Sequence, residues 1–172
     1  YESPSLSADF WLSTDGGHPI LNDVLASLTN HIFYQKLRVL GDIESYQLFN
    51  ILTATISVIV VSVFAYKTYG ILVSLVAGLT IALFPLFFAE SHFNVKDPAQ
   101  SAFFTLTIFS FWMSLKRANW RWLLLAIFST GISLSMKWNI IFLPAIIIPY
   151  LVLRYFPIIR RGREKIASAI NK

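Results

Sequence analysis

The sequence predicts an all-α, polytopic transmembrane helical bundle with an amphipathic helix lying along one membrane interface. Three observations predict it. Hydrophobic residues make up 56% of the 172 residues and charged residues only 13%, where a soluble domain carries roughly 25% charge. The apolar residues gather into five blocks, each close to the ~20 residues a helix needs to cross the hydrocarbon core. The charges between the blocks segregate by sign when successive breaks are placed on alternate sides of a membrane. Mean hydropathy is +0.63, and disorder is excluded because it requires low hydrophobicity and high charge.

The elements follow in chain order. Residues 1–45 are mixed in character and hold six of the nine acids. The chain starts at Tyr1 rather than Met, so it is expected to be part of a longer protein, which also accounts for the lack of a recognisable signal peptide. Within this segment Pro19 can open a helix, since its missing N–H costs nothing there. Leu21, Val24, Leu25, Leu28 and Ile32 recur at helical spacing, and Gly41 is a natural stop. Asn22, Asp23, Asn30, His31, Lys36 and Arg38 make residues 19–40 too polar to span. This helix belongs in the interface, either as a lid on the bundle or as one wall of a site for an amphiphilic substrate.

The five blocks, over about residues 46–157, are the predicted spans: about 46–66, 71–89, 98–115, 120–136 and 138–157. Unbroken apolar runs of this length do not read as soluble strands. Pro85, Pro144 and Pro149 fall inside spans, where helix packing tolerates them. Residues 158–172 form a basic segment suited to a cytoplasmic tail that touches anionic lipid.

With residues 1–45 outside, ten of the fourteen basic residues are cytoplasmic and only Lys36, Arg38, Lys96 and Lys137 are external. Eight of the nine acids and all three histidines are external as well. The net charge of +5 is therefore a topology signal, not a nucleic-acid signal. The absence of cysteine excludes disulfides, thiolate nucleophiles and Cys-ligated zinc. No dinucleotide-binding, P-loop, zincin or nucleophile-elbow sequence is present. No cofactor is implied. The external carboxylates are compatible with a divalent cation, but no His, Asp or Glu pair has metal-ligand spacing.

Two external stretches carry the chemistry. Glu90-Ser91-His92-Phe93-Asn94-Val95-Lys96-Asp97-Pro98 is the densest polar cluster between blocks. Asp97 can cap the helix that Pro98 opens, but that leaves Glu90, His92, Asn94 and Lys96 unexplained. Ionisable groups near membrane depth are functional candidates. His92 and Lys96 can donate to a phosphate. Asp97 can bind a sugar hydroxyl, orient an acceptor or hold a cation. The second stretch is the turn around Lys137, beside Trp138 and Asn139. Lys137 is either an interfacial snorkelling lysine or a fixed ammonium facing the same cavity as Lys96.

The order of these features resembles one superfamily. Gly17-His18-Pro19 precedes an amphipathic external helix and a span. FFAESHFNVKDPAQSAFFTLTIF follows the second span, and Gly131 to Lys137 precedes a proline-containing span. Over about residues 15–157 the chain resembles the N-terminal part of a GT-C glycosyltransferase, of the protein O-mannosyltransferase-like group that also includes lipid A aminoarabinose transferases. The resemblance implies transfer of a sugar from a dolichyl or other polyprenyl phosphate to a protein or lipid acceptor at the outer or lumenal face. It places the protein in the plasma or ER membrane. It matches Asp97, for sugar or acceptor positioning, and His18 and Lys137, for substrate binding, to family positions, while His92, Asn94 and Lys96 join them as substrate-binding candidates on their own chemistry. The family's base lies at the start of the first outer loop, before a Tyr. Since the chain begins Tyr1-Glu2, that base and the first span are expected upstream, with Glu2 or Asp9 as stand-ins, and this piece alone is expected to be inactive.

Two other classes compete. A transporter places ionisable groups near the midplane, often at broken helices, whereas these spans hold almost no internal charge. A non-catalytic membrane subunit would need residues 90–97 for assembly only. His18, Lys96, Asp97 and Lys137 are expected to line one external cavity.

Overall fold

A computed structural model describes residues 19–94 and 96–170. Glu2, Asp9 and His18 lie outside the described residues. Among the described residues there are seven α-helices and no strand. The chain divides into two compact units, Tyr1–Trp138 and Asn139–Lys172.

In the first unit, α1 spans Leu21–Asn30 and runs on into a π-helical turn, His31–Lys36. The interfacial helix therefore ends short of the expected residue 40. Arg38 has φ +52°, a left-handed conformation that no helix continues through. The chain reverses there so that α2 can pack back on α1. Asn30 fixes the corner, donating from Nδ2 to the Asp42 carbonyl at 2.9 Å and to Asp42 Oδ1 at 2.7 Å.

Helix α2, Asp42–Tyr69, has 28 residues, about 42 Å at 1.5 Å per residue. It ends at Gly70, whose φ of +93° suits a residue without Cβ. Helix α3, Ile71–Leu83, returns along it. Ser74 Oγ donates to the Ser62 carbonyl at 2.8 Å, and a Cβ added at Gly78 would meet the Ser62 hydroxyl. Small residues at this seam let the two backbones approach, as helix pairs in lipid require.

Block two is not one straight helix. Phe84 is extended (ψ 116°), because the ring of Pro85 disfavours a helical residue before it. Pro85 then opens α4, Pro85–Phe93, bent by 57° from α3. Glu90 to Phe93 are helical, so the expected break at residues 90–97 is largely taken up by helix. Helix α5, Asp97–Arg117, and α6, Trp120–Leu134, form a second hairpin. Its turn uses Ala118 at φ +48° and Asn119, whose Oδ1 accepts from the Arg121 N–H at 2.9 Å, an N-cap bond.

Much of the interior is lined with small and polar side chains, and most of the large apolar ones face outward. Leu72 and Val76 on α3 are 75% and 66% exposed. That is the inverse of a soluble core, and the surroundings that such a surface calls for are lipid. Inside, the Thr107 and Ser129 hydroxyls lie 2.9 Å apart across α5 and α6, and Ser133 Oγ donates to Gln100 Oε1 at 3.0 Å. Two apolar clusters hold the helices. Ala26, Phe49, Ala99 and Met136 meet at one end of the bundle. Val60, Phe109 and Met113 pack with Trp112 and Trp122 at the other. Phe109 meets Trp122 edge to face with ring centroids 5.7 Å apart.

The second unit follows a 3-10 turn, Trp138–Phe142, and contains α7, Leu143–Ile170. Among the described residues, α2 and the stretch Trp138–Phe156 are long and apolar enough to cross a membrane, and α3 with α4 makes a third if the bent pair is one span. Helix α5 has the length, 21 residues, but Gln100, Ser101, Thr105, Thr107 and Ser110 dilute its hydropathy. Helix α6 has 15 residues.

Candidate functional site

The centre of the candidate site is an ion pair between residues 40 positions apart. Lys137 Nζ donates to Asp97 Oδ1 at 2.5 Å. The other carboxylate oxygen, Oδ2, accepts from Asn94 Nδ2 at 2.7 Å. Asn94 ends α4 in an extended conformation. Its Oδ1 accepts from the Lys96 and Asp97 N–H groups at 3.0 and 3.1 Å. The sequence reading had Asp97 as a cap for the helix opened by Pro98. Instead α5 begins at Asp97 itself, and Asn94 takes the capping contacts. The Asp97 carboxylate is thereby directed sideways to Lys137.

Both halves of the pair are anchored in one apolar cluster. Ala99, two residues after Asp97, and Met136, one before Lys137, are fully buried and pack with Ala26 and Phe49. The Met136 carbonyl accepts from Asn22 Nδ2 at 3.2 Å, which ties the Lys137 turn to α1. The Lys137 N–H donates to the Ser133 carbonyl at 3.1 Å, and Ser133 bonds to Gln100. The backbone at each end is thus set by buried contacts, while the side chains remain reachable: Lys137 is 29% and Asp97 46% exposed.

Asp97 opens onto a cavity of about 240 Å³ lined by Phe84, Leu86, Phe87, Glu90, Pro98 and Ser101. A second cavity of about 240 Å³ shares Phe84, Phe87 and Ser101 with it and continues past Val61, Thr80, Ile81 and Thr105. The pair together make a largely apolar groove with two carboxylates, Asp97 and Glu90, at one end. The bend at Pro85 forms the groove, since Phe84 and Phe87 flank the break.

The other candidates lie elsewhere. His92 Nδ1 is 2.8 Å from the Phe88 carbonyl and 3.1 Å from Ser91 Oγ, and its ring stacks on Phe88 at 4.6 Å. It lines a different cavity, with Asp42, Tyr46, Gln47, Asn50 and Phe93. Residues 90 and 92 are about 200° apart on a helix, so Glu90 and His92 serve opposite sides of α4. Lys96 lies near Tyr46, whose hydroxyl bonds to Ser27 and feels the charges of Lys96 and Asp23. The structure thus joins Asp97, Asn94 and Lys137, and separates His92 from them. Among the described residues no three His, Asp or Glu side chains converge as a metal site requires. Asn50 and Gln100 went unread in the sequence, and Asn22 was read only as polarity of the interfacial helix. Their signal was an amide inside an apolar or amphipathic run, which must find a partner or a ligand.

The dolichyl-phosphate-mannose-protein mannosyltransferase family profile matches residues 17–169. No curated protein and no solved structure matches the chain. The profile covers both polar stretches and every described helix, and the exposed apolar helix faces are those of an integral membrane protein. The chain belongs to the dolichyl-phosphate-mannose-protein mannosyltransferase family, and it is a membrane glycosyltransferase of the mannosyltransferase kind.

Proposed function

We propose that the protein moves a sugar, mannose or a close analogue, from a polyprenyl-phosphate carrier to an acceptor hydroxyl on protein or lipid at the outer or lumenal face. The observation that carries this reading is the Asp97–Lys137 ion pair, whose Asp97 member lines one end of an apolar groove. A carrier lipid needs an apolar seat for its tail and a cation for its phosphate at the same depth. In this reading the five apolar blocks are spans, and the Asp97 end of the bundle is external by the distribution of Lys and Arg.

The acceptor oxygen attacks the sugar C1 as the bond from C1 to the phosphate oxygen breaks. The electron pair leaves with the polyprenyl phosphate, and the acceptor's proton passes to a carboxylate. Negative charge grows on the leaving phosphate. Lys137, prepositioned by Asp97, stabilises it, and such electrostatic aid is worth most when the donor is fixed beforehand. Asp97, held by two hydrogen bonds, orients Lys137 and the sugar. Asn94 holds Asp97 in place, and Lys96 adds a second cation to the same polar stretch. The base is assigned to the first outer loop, with Glu2 and Asp9 only as stand-ins.

The test uses the full-length protein in membranes given radiolabelled polyprenyl-phosphate sugars. Transfer by wild type, lost in well-expressed Asp97→Asn, is the expected result. A wild type that transfers label from no donor sinks the proposal. Transfer that survives both Asp97→Asn and Lys96→Ala removes this end of the bundle from the mechanism.

A further inference from the structure

The cavity on the His92 side of α4 is chemically unlike the groove at Asp97. It has a volume of about 360 Å³, and Asp42, Tyr46, Gln47, Asn50, His92 and Phe93 line it. That set supplies hydroxyl, amide, imidazole and carboxylate groups together with the Tyr46 and Phe93 rings, and Ile43 adds an apolar wall. It contains no Lys or Arg, and its one formal charge is negative. A phosphate is therefore disfavoured here, and a long hydrocarbon tail would strand the polar groups.

Asn50 is the residue that points to a ligand. It is 1% exposed, and neither Nδ2 nor Oδ1 has a hydrogen-bond partner. An amide buried without partners is costly, and native proteins rarely keep one without a use. Two turns above it, Asp42 is fixed by Asn30. Tyr46 is hydrogen bonded to Ser27 of α1, and His92 is held by its own helix. The walls are thus rigid, and the floor offers one donor and one acceptor side by side. That is the pattern a pair of neighbouring ring hydroxyls satisfies, with aromatic faces to cover the ring's C–H side.

We propose that this cavity binds a neutral sugar ring and that Asn50 is its specificity-determining residue. The proposal rests on the glycosyltransferase reading for the identity of the ring, and the ring's source is either the donor sugar or a sugar already on the acceptor.

The test compares wild type with Asn50→Leu, which keeps the branched shape and removes both polar atoms. Two readouts are needed, on the full-length protein in nanodiscs. One is saturation-transfer NMR with methyl α-D-mannopyranoside, which needs no turnover. The other is the donor KM for dolichyl-phosphate mannose with membrane acceptors in excess. The expected result is loss of the NMR signal, a donor KM raised at least tenfold, and a ligand-free Tm that rises by a few degrees because the unpartnered amide is gone. Loss of the NMR signal with an unchanged donor KM also supports the proposal and assigns the ring to the acceptor. Asn50-dependent binding in a wild type that transfers nothing supports the cavity while the glycosyltransferase reading falls. Absence of the signal in wild type overturns the proposal. So does a signal and KM indifferent to Asn50→Leu while Asp97→Asn abolishes transfer. If Asn50→Leu does not accumulate, Gln47→Ala is judged by the same two binding readouts.

Discussion

Replacing Lys137 with Met separates chemistry from stability. Methionine keeps an unbranched stem of similar length and removes the ammonium. Lys137 contacts Asp97 Oδ1 at 2.5 Å, with 29% and 46% of the two side chains exposed. A pair this open to water is worth about 0–1 kcal/mol to the fold. Removing the lysine does not strand a buried charge, because Asp97 keeps the Asn94 amide at 2.7 Å and access to water. The penalty of roughly 3–5 kcal/mol for breaking a buried pair therefore does not apply. Loss of one prepositioned charge from a developing oxyanion costs on the order of 10²–10³ in kcat, about 3–4 kcal/mol. The expected outcome is a Tm within about 3 °C of wild type and a rate of label transfer at least a hundredfold lower at matched protein level. Lys137→Arg should recover part of the rate, since it keeps the charge but not the point geometry. Transfer by Lys137→Met within threefold of wild type would refute the argument. A loss of activity that merely tracks a loss of folded protein would refute it equally.

Two further changes probe the surroundings of the pair and the packing below it. Asn94→Ala removes the acceptor for two backbone N–H groups and the amide that holds Asp97 Oδ2; it should cost about 0.5–2 kcal/mol, as lost caps do, and lower transfer by more than that stability loss explains, read as the activity of the folded fraction. Gly78 faces Ser62 across the α2–α3 seam. Gly78→Ala requires only that the Ser62 hydroxyl turn away and should be nearly neutral, whereas Gly78→Leu should force the helices apart at about 1–3 kcal/mol, seen as a lower thermal midpoint in detergent; equal midpoints for the two variants would mean that the seam is not closely packed.

The candidate site was legible as a set of residues and not as an arrangement. Asp97, Asn94 and Lys137 stood out because they were polar among apolar blocks, and a single sequence reports that directly. Their pairing did not, because a contact across 40 residues depends on how α5 and α6 pack. His92 looked equivalent to Lys96 and Asp97 while residues 90–98 read as a loop. Once residues 90–93 are helical, the turn of the helix carries His92 to another cavity. The unpartnered amide of Asn50 was hidden in an apolar block, where only burial on all sides gives it meaning.

What the sequence by itself determined is the class: all-helical and membrane-embedded, with polar groups collected in the breaks between apolar blocks. Hydropathy and helical spacing are local, so they survive without a structure. Pro85 read as an interruption that one span tolerates, whereas the structure makes it a 57° break that opens the groove beside Asp97. What only the tertiary structure decided is which polar groups meet. Asp97 meets Lys137 because Ala99 and Met136 are buried in one cluster with Ala26 and Phe49. The apolar packing brings the chain ends together, and the ion pair forms where that packing leaves two opposite charges facing each other.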